Sequence, residues 1–156
     1  MHRYYPIRIL PDLWDSIEDL FKTQRVRSHE FVYDEIVPAK STKDELAKLI
    51  SKHQNCFIPI TKKQAMVVPE ILSLFPHLID PRNKKDQADP WIIAMVIELM
   101  QDENLFGGDS EYVIVSAESE TSPSKIPAVC KHYNVRHMNL FEFFEDNAWK
   151  FSILKK

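Results

Sequence analysis

The run Ala88-Asp89-Pro90-Trp91-Ile92-Ile93-Ala94-Met95-Val96-Ile97-Glu98-Leu99-Met100 constrains the chain more than any other segment, because it is apolar almost all the way round a helix. A helix without a polar face has to be enclosed, so the other elements must pack about it. Proline at the first helical position behind an aspartate is a start signal, and Asp89 reads as the N-cap, a role contributing roughly 0.5 to 2 kcal/mol. The run is too short to span a membrane, which takes about 18 apolar residues or more, and it carries Glu98.

Strands and helices alternate on either side of this run. Pro11 and Asp12 introduce an amphipathic helix with Leu13, Trp14, Ile17, Leu20 and Phe21 on one face and Asp12 as its cap. A short strand near Val26 feeds a helix bounded by Ser28 as N-cap and by Pro38. Thr42 to Glu45 has the pattern of a capping box before Leu46, Leu49 and Ile50. Residues 56–60 read as a second strand, at a sheet edge because of Pro59. Thr61 and Gln64 form another capping pattern, and the helix behind them is expected to kink or split at Pro69, with Met66 as core filler.

Residues 76–88 and 101–109 are expected to be loops, the second holding the only glycines, Gly107 and Gly108. Tyr112-Val113-Ile114-Val115 is a β-branched run suited to an interior strand. A helix over 126–133, a strand over 136–139 and a last helix docked by Phe141, Phe143 and Phe144 complete the order. The alternation predicts one α/β domain over residues 1–156, in three layers about a mainly parallel sheet.

With 44% hydrophobic and 28% charged residues the composition is that of a soluble globular protein. The N-terminus does not lead into a signal-peptide hydrophobic region, so the reading is cytoplasmic, with no membrane partner. A formal charge of -3 argues against broad electrostatic capture of nucleic acid. Arg82-Asn83-Lys84-Lys85 is a local basic spot that suits either a phosphate backbone or a solvated loop. Cys56 and Cys130 sit in hydrophobic surroundings without a paired-cysteine motif and read as buried reduced thiols. Phosphate-binding glycine loops and local serine–histidine or cysteine–histidine motifs are missing.

Acidic residues carry the chemistry. At about 100° per residue, Glu35 falls between Phe31 and Val32 on the apolar face of its helix, where a lone carboxylate needs a cation, donors or water. The plainer alternative is a rotated helix with Glu35 at an edge or paired with Arg25 or Arg27. Asp89 is a helix cap that would also stand at the carboxyl edge of a parallel sheet, where open α/β proteins bind ligands. Ser116 and Glu118 follow the strand that ends at Val115 and point to the same edge, with Glu120 as a competing acid. Three carboxylates at one edge repel unless a divalent cation neutralises them, and hard oxygen donors suit Mg2+ or Mn2+.

The ordered combination of Pro11-Asp12-Leu13-Trp14, Ser28-His29-Glu30-Phe31-Val32-Tyr33-Asp34-Glu35, Phe75-Pro76, Asp80-Pro81, Ala88-Asp89-Pro90-Trp91, Val115-Ser116-Ala117-Glu118 and Lys125-Ile126-Pro127-Ala128-Val129-Cys130 resembles the PIN-like nuclease domains. Within them it is most similar to a branch of bacterial proteins regarded as toxin components of toxin–antitoxin pairs. The resemblance implies a parallel sheet whose carboxyl edge gathers acids around Mg2+ or Mn2+, and hydrolysis of RNA phosphodiesters. Carried over, Glu35, Asp89 and Glu118 look like metal-holding catalytic acids, and Ser116 like a residue that orients water, metal or phosphate. The implied partners are an RNA substrate and a small cognate antitoxin, with a homo-oligomer consistent with the apolar helices.

Relatives begin with a hydrophobic strand ending in an aspartate, whereas here Met1 lies almost at Tyr5-Pro6. The expectation is therefore a PIN-like domain lacking its first family strand, with activity of the chain as given left open. Asp12 and Asp15 belong to the first helix and do not replace that aspartate. A noncatalytic binding or regulatory protein on the same scaffold is the rival reading, and a phosphatase or DNA nuclease would use similar carboxylates.

Overall fold

The computed structural model describes residues 6–37, 44–83, 87–108 and 110–150, which fall into two compact units, residues 1–59 with 149–156, and residues 60–148. The expected roles of Tyr5, Pro38, Thr42, Lys84, Lys85 and Asp109 lie outside the described residues. Among the described residues the architecture is mixed α/β, with seven α-helices and two two-stranded parallel sheets. No described helix is long and apolar enough to cross a membrane.

The first unit starts with α1 (Pro11–Lys22), whose first position is taken by Pro11 with Leu10 at the N-cap. Asp12, expected to cap, instead lies in the first turn, where the helix dipole still favours it. Leu13, Trp14, Leu20 and Phe21 are buried. Gln24 takes a left-handed φ of 55° and turns the chain toward β1 (Ser28–His29). β1 lies two residues beyond Val26 and engages Ser28, so His29 caps α2 (Glu30–Ile36), its Nδ1 accepting the Phe31 amide at 3.2 Å.

Asp44 caps α3 (Glu45–Ser51) by accepting from the Leu46 amide at 3.0 Å. A short 3-10 turn at Gln54–Cys56 then enters β2 (Phe57–Ile58), which is shorter than expected because Cys56 belongs to the turn. β1 and β2 pair in parallel, Ser28 with Phe57 and His29 with Ile58. Phe21, Ile50, Cys56 and Phe57 form the buried centre of this unit, with Val32, Tyr33 and Ile36 packed against it.

In the second unit Thr61 and Gln64 make the expected reciprocal capping box at the start of α4 (Lys62–Leu74). The helix runs through Pro69 without splitting. Gln64, Val68 and Ile71, spaced by four and three residues, form its buried stripe. Met66 projects from the other side and is 79% exposed, so it is not core filler.

The central helix α5 (Ala88–Phe106) is longer than the sequence reading at both ends. Gln87 is its N-cap position and ties the preceding loop by accepting from the Asp80 amide at 2.8 Å and donating to the Asp80 carbonyl at 2.9 Å. The helix therefore begins before Pro90, and Asp89 sits inside its first turn instead of capping it. At the other end residues 101–106 are compatible with a helix, and the first true stop is Gly107, which adopts a left-handed φ of 71°. Ala88, Pro90, Ile93, Ala94, Met95 and Val96 are buried, as an apolar helix requires.

β3 (Val113–Val115), α6 (Ile126–His132) and β4 (Arg136–Met138) form a parallel crossover, with Ile114 opposite His137. α7 (Leu140–Asp146) follows. Phe143 and Phe144 are half-buried, but Phe141 is 68% exposed and does not dock the helix. Both cysteines are free and buried, as expected. Burial pushes the Cys130 thiol up to about 12, which keeps it protonated and unreactive.

Candidate functional site

Parallel pairing places the carboxyl ends of β3 and β4 on one edge, and the polar residues that follow each strand meet there. The Ser116 amide extends the ladder by donating to the Met138 carbonyl at 3.1 Å. The Ser116 hydroxyl lies 2.9 Å from His137 Nε2 and accepts the Glu118 amide at 3.4 Å. Burial pushes the His137 imidazole below its usual range, against the opposing pull of Glu120, Glu142 and Glu118. Both groups are satisfied when Ser116 donates to the neutral ring and the ring proton resides on Nδ1.

Asn139, the residue after β4, accepts from the Phe141 and Glu142 amides at 2.9 and 3.1 Å, and Glu142 accepts from the Asn139 amide at 2.8 Å. The Asn139 side chain also donates to Glu120 at 3.4 Å. Glu120 thus supports the strand end, whereas Glu118 turns toward α6. One Glu118 oxygen accepts the Ile126 amide at 2.8 Å, satisfying a donor at the start of α6. The other lies 3.0 Å from Lys125 Nζ.

Lys125 is where the second acid enters. Its ammonium is held charged above the ordinary lysine range, first by the Glu118 hydrogen bond and charge and also by the field of Asp89. Asp89, in the first turn of α5, and Glu118, beyond the end of β3, therefore act on one cation. Ser116 is joined to this group through the Glu118 amide. Neither Lys125 nor His137 was singled out by the sequence. A signal for Lys125 did exist: it occupies the N-cap position of α6, where the helix dipole disfavours a cation unless acids surround it.

Glu35 lies in the first unit and is exposed, contrary to the inward orientation expected of it. The inward face of α2 is Val32, Tyr33 and Ile36, and Tyr33 meets the Phe57 ring edge-on with centroids 5.3 Å apart. Tyr33 replaces Phe31 on that face, which moves its centre roughly 100° from Glu35. Phe31 packs instead against the His29 ring at 5.0 Å.

Among the described residues no group of three or more histidine, cysteine, aspartate or glutamate side chains is close enough to hold a metal. Both Glu118 oxygens are engaged within the chain, one by Lys125 and the other by the Ile126 amide.

A family model described as a domain of unknown function (DUF4411) matches residues 1–151. No curated protein and no solved structure matches the chain.

Proposed function

We propose that this chain, which belongs to the DUF4411 family, is a divalent-metal-dependent ribonuclease of PIN-like, three-layer architecture. The observation that carries the reading is the Glu118–Lys125 ion pair beyond the carboxyl end of β3, with Asp89, in the first turn of α5, adding its field to the same lysine. Open parallel sheets bind ligands at that edge, and carboxylates drawn there from separate elements are the donors that Mg2+ or Mn2+ prefers.

In this reading Asp89 and Glu118 are the acids that hold the ion. Ser116, oriented by His137, positions water or phosphate. When bound, the divalent ion lowers the pKa of a coordinated water and stabilises charge on the phosphoryl oxygens. No protein side chain forms a covalent intermediate. The setting is a cytoplasmic toxin, alone or as a homo-oligomer, with a small antitoxin that covers the acids and offers a basic side chain to them.

A noncatalytic binding protein is the second reading, favoured by the engagement of both Glu118 oxygens in contacts within the chain. Cleavage of single-stranded RNA with Mn2+ separates the two. The nuclease reading expects metal-dependent cleavage that falls by about 100-fold or more in Asp89→Asn, as loss of electrostatic stabilisation does in other enzymes. Equal rates in wild type and variant, or no cleavage with any divalent ion, would move the assignment to the binding protein.

A further inference from the structure

We propose that the cavity at the amino edge of β1 and β2 binds a phosphate group, held by the Arg27 guanidinium together with the side-chain amides of Gln24 and Asn55. The site lies wholly within the first unit and does not depend on the metal-dependent reading.

Three segments bring these residues together. Gln24 follows α1 in its left-handed turn, Arg27 directly precedes β1, and Asn55 lies in the 3-10 turn that enters β2. Parallel pairing of Ser28 with Phe57 sets the residues before each strand on one edge. There Gln24, Arg27 and Asn55 line, with Cys56 and Ile58, a cavity of about 220 Å³. Pockets that enclose a whole drug-sized ligand measure roughly 300 to 1,000 Å³, so this one suits a single charged group with a small appendage.

The lining selects an anion. Arg27 is its charged member, and no carboxylate lines the cavity among the described residues. Among those residues the Gln24 and Arg27 side chains make no hydrogen bond or ion pair. Asn55 Oδ1 lies 3.9 Å from Cys56 Sγ, which leaves the Asn55 amide nitrogen open as a donor. The Cys56 thiol donates to the Phe21 carbonyl at 3.3 Å, and burial pushes it above the ordinary thiol range against the opposing pull of Arg27. The sulfur therefore stays neutral and brings no negative charge to the cavity. One guanidinium fork can satisfy a planar carboxylate by itself. Donors arriving from three separate segments match a tetrahedral phosphate, which accepts from several directions, and Ile58 offers an apolar wall to the carbon skeleton of an ester.

The test is titration of the isotope-labelled full chain, at constant ionic strength and without divalent ions, with inorganic phosphate, a nucleoside 5′-monophosphate and acetate in turn. Both phosphates should shift the amides of residues 24, 27, 55 and 56, and acetate should bind more weakly. Arg27→Gln should weaken phosphate binding by about tenfold or more, and Asn55→Asp, which puts a carboxylate into the cavity, should abolish it. Arg25→Gln removes a like charge that does not line the cavity and should stay within about twofold of wild type. Melting curves check that each variant is folded. Tighter binding of the monophosphate would identify an ester as the ligand and equal binding the free anion, and either result supports the site. Equal losses in Arg25→Gln and Arg27→Gln would reduce the binding to diffuse charge attraction, acetate binding as tightly as phosphate would overturn the choice of phosphate, and shifts confined to other residues, or none, would overturn the site. None of these outcomes touches Asp89 or Glu118, so the metal-dependent reading stands or falls separately.

Discussion

Tyr33 and Phe57 meet edge-on at 5.3 Å, and this contact turns α2 so that Glu35 faces outward. An acid on the outside of a helix contributes little to stability, so whatever Glu35 does should be separable from folding. Glu35→Gln is expected to change unfolding free energy by no more than about 0.5 kcal/mol, and Tyr33→Ala to lower it by about 2 kcal/mol. Urea denaturation of the two variants checks this; a large loss in Glu35→Gln would contradict the rotation of α2.

The Ser116–His137 pair makes a pH prediction. A histidine held below its ordinary range in the fold is more readily protonated when unfolded, so the unfolded state binds more protons as pH falls. Its contribution is therefore present above about pH 6.5 and is lost as pH falls through the lower folded value. Urea midpoints between about pH 5 and 8 should drop toward the acid side more steeply in wild type than in His137→Gln. Parallel curves for the two proteins would remove the titration of His137 from the account.

Lys125 has the opposite sign. A lysine raised by Glu118 and Asp89 contributes stability that is full below the unfolded pKa of about 10.4 and vanishes as pH rises through the folded value. The half-exposed pair is screened, so the effect is small and salt-sensitive. The melting temperatures of wild type and Lys125→Met should converge only as pH rises past the raised folded value, and in high salt. A gap that persists there would assign the lysine a packing role.

Glu98 ties α5 to the start of α4. It accepts from the Thr61 hydroxyl at 2.9 Å and from the buried Gln64 amide at 2.8 Å. Glu98→Ala strands the Gln64 donor away from water and is expected to lose about 2 to 3 kcal/mol, while Glu98→Gln, which keeps an acceptor, should lose less. Equal losses measured by denaturation would mean that charge and not hydrogen bonding holds this corner.

Much of this was legible along the chain. The run after Pro90 announced a buried helix, Thr61 and Gln64 announced a capping box, and the β-branched segment at 113–115 announced a strand. Local patterns of this kind report local structure. What they could not report was which of two aromatics, Phe31 or Tyr33, would face the core, since both satisfy a helical period and only Phe57 decides between them. The ends of α5 were missed for a related reason: Gln87 is held by Asp80, and the polar residues at 101–104 are as acceptable in a helix as in a loop. Glu118 and Asp89 were found as isolated acids, but the lysine joining them became visible only when α6 brought it to the strand end.

The central claim is that Asp89 and Glu118 share one cation position at the end of β3. Substoichiometric Mn2+ added to isotope-labelled protein, followed by amide line broadening, tests it most directly. The account predicts that the amides of residues 88, 89, 91 and 116–119 broaden first and that Asp89→Asn abolishes the effect. Broadening confined to the shallow acidic depression of about 420 Å³ formed by Glu142, Glu145 and Asp146 with Arg136 and His137, and unchanged in Asp89→Asn, would contradict it.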